Sequence, residues 1–165
     1  MTDEKFEQAA RAYGDMLYRV AFHAVRSRAD AEDVTQTALL KLYEHTGAFE
    51  SEAHLKHWLL RVTVNESRQV LRTFWRRKVV PLDEEWDAPA AEEADRGEVL
   101  RAVMALERKY RLSVCLYYYE GCSVKEIAVL MGAKPSTVQT WLQRAREKLR
   151  IALSEEEEGP EYVRS

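Results

Sequence analysis

SVKEIAVLMGAKPSTVQTWLQRAREKLR, residues 123–150, decides the fold of the second half of the chain. Ser123 followed by Glu126 is a capping box: the serine oxygen accepts the N–H of the third helical residue, and the glutamate carboxylate accepts the serine's own N–H. A short helix therefore starts there, with Ile127, Ala128 and Leu130 on its apolar side. Gly132 permits a sharp turn, and Pro135 fits the first turn of a new helix, where a missing N–H costs nothing. In that last helix Val138, Leu142, Ala145 and Leu149 recur at i, i+4, i+7 and i+11, a core-facing stripe. Ser136, Gln139, Thr140, Gln143 and Arg144 point the other way, short and polar near the N-terminus and basic beyond. A helix-turn-helix reads DNA with such a face: N-terminal side chains reach base edges in the major groove, and later basic ones hold phosphates. The same geometry also occurs without DNA, so the charge around it matters.

The whole chain has 165 residues, 25 Lys+Arg against 28 Asp+Glu, and a net charge of −3, but the balance hides a division. Residues 1–75 carry 10 basic and 11 acidic groups, and Arg76, Arg77 and Lys78 follow together. Residues 83–98, DEEWDAPAAEEADRGE, have a net charge of −7 and contain Pro89 and Gly97, which reads as an acidic linker. Residues 99–154 return to +6, and the tail 155–165 is acidic again, a solvated run. Two small modules joined by a flexible connector explain this better than one fold with a long internal loop. The expected organisation is a first domain at 1–78, a linker at 79–98, a second domain at 99–154 and a tail at 155–165. The length excludes a large multi-domain enzyme, and a hydrophobic share of 46% excludes wholesale disorder.

Helical periodicity continues through the first module, so the expected class is all-α, two small helical domains. Over residues 31–46, Ala31, Val34, Ala38, Leu39, Leu42 and Tyr43 form one stripe, with Asp30 as the expected N-cap. Leu40 falls opposite that stripe, on the outer face with Asp33, Thr37 and Glu44. An outward leucine hints at a partner, although single exposed leucines are ordinary. A second long helix is expected over residues 53–75, with Leu55, Trp58, Leu59 and Val62 opening its apolar face. Its other face carries Arg61, Asn65, Arg68 and Arg72 at i, i+4, i+7 and i+11, with Trp75, Arg76, Arg77 and Lys78 after them. Basic and amide groups beside aromatics neutralise phosphates and stack on unpaired bases. A preference for basic groups at a helix C-terminus accounts for Arg76 to Lys78 but not for the stripe.

Other chemistries find little support. Cys115 and Cys122 are too few for a disulfide framework or a four-cysteine zinc site, and read as buried thiols. His54 and His57 form an H-x-x-H pair, but there is no H-E-x-x-H, P-loop or G-x-S-x-G motif, so no metal or cofactor is expected and the protein is read as not an enzyme. No stretch approaches the ~18 apolar residues of a membrane span, and the opening MTDEKFEQAAR is acidic and amphipathic, so a cytoplasmic location without membrane insertion is expected.

These residues resemble the sigma factors of bacterial RNA polymerase, of the extracytoplasmic-function type in the sigma-70 family. LERKYRLSVCLYYYEGCSVKEIAVLMGAKPSTVQTWLQRAREKLR, residues 106–150, looks like the family's region four, with its YR pair, YYEG, S-x-x-EIA, glycine, TV and RAREKLR in order. YGDMLYRVAFHAV at 13–25 resembles the start of region two. DAEDVTQTALLKLYEH at 30–45 resembles its polymerase-binding helix, and HWLLRVTVNESRQVLR at 57–72 its promoter-melting helix. The resemblance implies a protein that binds core RNA polymerase and directs promoter-specific initiation. Asp33, Gln36, Thr37 and Leu40 would meet the clamp helices of the β′ subunit, and the second module the β flap. The loop from Gly47 to His54, with Trp58, Arg61, Asn65, Arg68 and Arg72, would receive the unpaired minus-ten strand. Ser136, Thr137, Gln139, Thr140, Gln143 and Arg144 would meet the minus-thirty-five duplex. The family also implies control by an anti-sigma factor.

Three departures stand out: Gln36-Thr37 replaces the usual Gln-Glu, Trp141 replaces an arginine of the recognition helix, and Lys134-Pro135 replaces a Ser-Glu start. About twenty linker residues extended at ~3.3 Å each reach on the order of 60 Å, which spans roughly two turns of DNA at ~34 Å per turn. The rival reading is a stand-alone helix-turn-helix regulator that binds duplex DNA without polymerase. It explains the second module and leaves Leu40 and the basic stripe of the first idle.

Overall fold

The computed structural model describes residues 1–76 and 94–157. Arg77 and Lys78, linker positions 79–93 and tail positions 158–165 lie outside the described residues, as do the side chains of Trp75 and Arg76. The chain divides into two compact units, residues 1–87 and 88–165. Among the described residues there are seven α-helices, one π-helical turn and no strand. None of these helices is long and apolar enough to cross a membrane.

In the first unit α1 (Asp3–Val25), α2 (Arg28–Glu44) and α3 (Glu52–Arg76) all pack against one another. Thr2 caps α1 by accepting the Lys5 N–H at 3.3 Å, and Asp3 and Glu4 set negative charge at the positive end of the helix dipole. The core is built from Leu17, Val20, Ala21 and Ala24 of α1, Ala31, Val34, Ala38 and Leu42 of α2, and Leu59, Leu60 and Val64 of α3. Small residues dominate the α2 side, which lets α1 approach closely.

Local details refine and in places correct the sequence reading. Asp30 is not the N-cap of α2: Ser27 is, its Oγ accepting the Asp30 N–H at 3.3 Å, so Asp30 lies inside the first turn. The α1–α2 corner has no glycine to announce it, because Arg26 itself takes the left-handed conformation (φ 59°) and returns its N–H to Phe22 O at 2.8 Å. On α3 the buried face is Leu59, Leu60, Thr63, Val64 and Ser67, while Leu55, Trp58 and Val62 are half-buried along one edge. The buried Thr63 and Ser67 hydroxyls donate to Leu59 O and Thr63 O, each at 2.8 Å, and so need no other partner. Tyr43, counted in the core stripe, is 45% exposed; its hydroxyl donates to Asp3 Oδ1 at 3.0 Å and its ring meets Phe6 edge-on.

In the second unit α4 (Ala94–Met104), α5 (Arg108–Val114) and α6 (Val124–Met131) each pack against α7 (Pro135–Glu157). Helix α4 begins inside the stretch read as linker, with Gly97 buried, and α7 runs into the stretch read as tail. Met104, Leu116, Ile127, Val138, Leu142 and Ala145 form the core with Cys115, while Leu149 is half-buried. Buried Arg111 donates from Nη1 to Leu106 O at 2.9 Å. The π-helical turn, Cys115–Tyr119, closes with Glu120 N–H to Cys115 O at 3.2 Å, and Gly121 (φ 70°) then reverses the chain.

Candidate nucleic-acid and polymerase interfaces

The helix-turn-helix forms as its sequence dictates. Glu126 N–H donates to Ser123 Oγ at 3.1 Å and Ser123 N–H to Glu126 Oε1 at 3.0 Å, both halves of the capping box. Gly132 ends α6 at φ 65°, and the following N–H, of Ala133, reaches Ala128 O at 2.9 Å. Pro135 opens α7, with Val138 N–H bonded to Lys134 O at 3.1 Å in place of a side-chain cap. Because Val138, Leu142 and Ala145 are buried, the register of α7 is fixed and its opposite face is turned to solvent. Ser136, Gln139, Thr140, Gln143 and Arg144 are exposed and Thr137 is half-buried. The Thr140 hydroxyl is engaged with Ser136 O at 3.1 Å. Trp141 is half-buried at the boundary of this face. Glu147 and Arg150 continue the same exposed side one and two turns beyond Gln143, and in the sequence they look like ordinary solvated charges.

In the first unit, Arg61, Asn65 and Arg72 are exposed and Arg68 is half-buried, in one line opposite the buried face of α3. At the head of this line His54 Nδ1 accepts the Glu50 N–H at 3.1 Å, and the His54 N–H donates to Ser51 Oγ at 3.1 Å, which starts the helix. The α2–α3 connection is held by rings. His45 stacks on Phe49 (4.6 Å between centroids, 19° between planes) and meets Trp58 at 4.9 Å, and Phe49 meets Trp58 at 5.5 Å and His54 at 5.3 Å. Gly47 lies so close beneath His45 that a Cβ there would sit 3.0 Å from the ring. Trp58, expected as a strand contact, is half-buried and packs its ring with His45 and Phe49 of the loop before α3. Among the described residues no cluster of His, Cys, Asp and Glu is arranged to hold a metal ion.

On α2, Asp33, Gln36 and Leu40 are exposed and Thr37 half-buried, together on one side; Leu40 is 56% exposed. Lys41 pairs with Glu66 of α3 and so removes the one acidic side chain of α3's middle turns from competition with the basic line. Burial raises the Asp30 carboxyl above its ordinary value, with Asp33 adding to the rise and the Ser27 hydrogen bond opposing it. Tyr13 is raised by its 2.6 Å hydrogen bond to the Glu52 carboxylate, and Tyr43 by its bond to Asp3.

Comparison with known proteins matches both units in the same order. A family model described as sigma-70 region 2 covers residues 9–77, and one described as sigma-70, region 4 covers residues 96–149. The chain is 26% identical over 159 residues to the ECF RNA polymerase sigma factor SigE of Mycolicibacterium smegmatis, a match covering 90% of this chain and 62% of that protein. It is 30% identical to the ECF RNA polymerase sigma factor SigM of Mycobacterium tuberculosis, over 87% of this chain and 74% of that one. Among solved structures it resembles the sigma factor RpoE crystallised with the anti-sigma factor NepR from Bartonella quintana, with a TM-score of 0.73, 24% identity, and coverage of 92% of this chain and 98% of that one. At that identity the likeness supports the fold.

Proposed function

We propose, on the premise that this chain belongs to the extracytoplasmic-function sigma factors of the sigma-70 family, that it binds core RNA polymerase and directs it to promoters carrying minus-ten and minus-thirty-five elements. The observation that carries the proposal is the order of two surfaces on one chain: a basic line on α3 beside an outward leucine on α2, then a helix-turn-helix with a polar reading face. A regulator acting on duplex DNA alone has no use for the first. In this reading Asp33, Gln36, Thr37 and Leu40 meet the β′ clamp helices, where an apolar side chain ringed by polar ones is suited to a protein contact. Arg61, Asn65, Arg68 and Arg72 hold the separated minus-ten strand by its phosphates, with bases received near Trp58 and the Gly47 to His54 loop. Each stacked base contributes on the order of 1 to 3 kcal/mol.

Ser136, Thr137, Gln139, Thr140, Gln143 and Arg144 read the minus-thirty-five duplex, where each wrong base pair costs roughly 1 to 3 kcal/mol. The protein makes and breaks no covalent bond; it lends binding energy to the polymerase, and it works in the cytoplasm where polymerase and chromosome are. Control by an anti-sigma factor follows from the family and from the neighbour solved with NepR. The test is run-off transcription with sigma-free bacterial core polymerase on fragmented genomic DNA of the host, with and without the protein. Discrete protein-dependent transcripts from defined starts are expected. If core polymerase is neither bound nor redirected while the protein alone shifts duplex DNA, the proposal falls to the stand-alone regulator.

A further inference from the structure

Outside the residues assigned to reading bases, one polar pair on the second unit has no role in the core. Arg146 of α7 donates from Nη1 to the hydroxyl of Tyr118 at 2.8 Å. The two residues come from elements far apart in sequence, and both are exposed, Tyr118 by 52%. Tyr118 is itself steadied by Tyr117, whose ring meets it edge-on at 4.9 Å and 79°. The π-helical turn is what allows this: its wider winding leaves Tyr117, Tyr118 and Tyr119 all on the surface after the buried Cys115 and Leu116. On α7, at ~100° per residue, Arg146 lies about 20° from Gln139 and about 60° from Gln143, at the edge of the reading face two turns beyond Gln139.

The chemistry of the pair is that of an anion site. A guanidinium held by a carboxylate is neutralised; one held by a phenol keeps its whole charge and four of its five N–H donors. The phenol accepts from the arginine and retains its own O–H to donate. Two donors of a fixed orientation, one of them charged, match the oxygens of a single phosphate. A surface pair that served only to hold the turn against α7 would gain little, since solvent competes for both of its exposed groups.

We propose that Tyr118 and Arg146 form a phosphate clamp on the duplex flanking the minus-thirty-five element, with Arg146 the anion contact and Tyr118 its positioning residue. The proposal rests on the reading of the second unit as a duplex binder. A phosphate contact is blind to sequence but visible to salt, because each one releases condensed counterions. The experiment is equilibrium binding of the whole protein with core polymerase to a labelled duplex carrying the upstream promoter element, over 50 to 200 mM salt, repeated with that element scrambled.

Arg146→Ala is expected to lower the slope of log affinity against log salt by about 1 on both duplexes, so that the fourfold salt rise weakens the variant about three- to fourfold less than the parent. Tyr118→Phe, which keeps the ring and its edge contact, is expected to lose part of that increment. Added to Arg146→Ala it should remove nothing more, with thermal melting unchanged throughout. A slope unaltered by Arg146→Ala overturns the clamp, and so do losses that add in the double variant. Should the unsubstituted protein fail to direct polymerase, the initiation reading is what fails; the same salt series on protein and duplex alone then still decides the clamp by the same slopes.

Discussion

Single residues set the boundaries on which everything else in this chain depends. Ser123 is the clearest, because both bonds of its capping box form. Ser123→Ala is expected to cost about 1 kcal/mol. In a domain of this size that lowers the melting temperature by about 4 to 8 °C, measured by circular dichroism. Asp30 acts in the opposite sense. Burial raises its carboxyl, so the folded state favours the protonated acid; that contribution is complete below the ordinary carboxylate value and is lost as pH rises through the raised one.

At neutral pH the ionised Asp30 therefore weakens the fold, and Asp30→Asn should melt higher than the parent at pH 7, with the difference vanishing near pH 3. Equal gains at both pH values would contradict this. At this scale the sequence was legible wherever a motif has one physical meaning, as Ser123 and Gly132 do. It misled where two residues competed for one task. Ser27 and Asp30 are both good caps, and only the path of the chain after Arg26 decides between them.

Elements were legible in extent and less so in orientation. The helix on either side of Leu40 was placed by its spacing of small apolar residues, and its outer side follows at once. For α3 the pattern pointed to the edge of the buried face instead of its centre, since a threonine and a serine that satisfy their own hydroxyls are invisible to a count of apolar residues. The basic line was still found, because it lies opposite the core and is defined by charge. The aromatic bracing of the loop before α3 was not: it depends on His45, which no periodicity connects to Phe49 and Trp58. The sharpest test of an element concerns α2. Leu40→Arg removes no core atom, so melting should shift by less than about 0.5 kcal/mol in stability. Capture of the protein on immobilised core polymerase should nevertheless fall by about tenfold or more, because a charge would be buried without a partner in the proposed contact. Undiminished capture would remove α2 from the polymerase contact.

For the molecule as a whole, charge in blocks was the most informative feature of the sequence. A net −3 conceals a +6 region beside a −7 region, and that contrast points to two modules independently of any helix assignment. Two binding modules carried on one chain meet their sites at an effective concentration on the order of mM. The halves supplied as separate polypeptides at about 1 μM should therefore lose roughly a hundredfold or more of run-off transcription from promoters needing both elements. Full activity from the severed halves would mean that polymerase alone organises them.

Helix α7 has a place in the second unit that bears on how such proteins diversify. Three helices lean on it, and its buried positions hold the unit together, while Ser136, Gln139, Thr140, Gln143 and Arg144 face outward away from that core. If that outer face reads DNA as proposed, folding instructions and a DNA address are written on opposite sides of the same 23 residues. A lineage can rewrite the address one substitution at a time without risking the scaffold, so duplicated copies are free to drift toward new promoters while remaining foldable at every step. The tryptophan at position 141, on the boundary between the two sides, is where a change of address would first be felt by the fold.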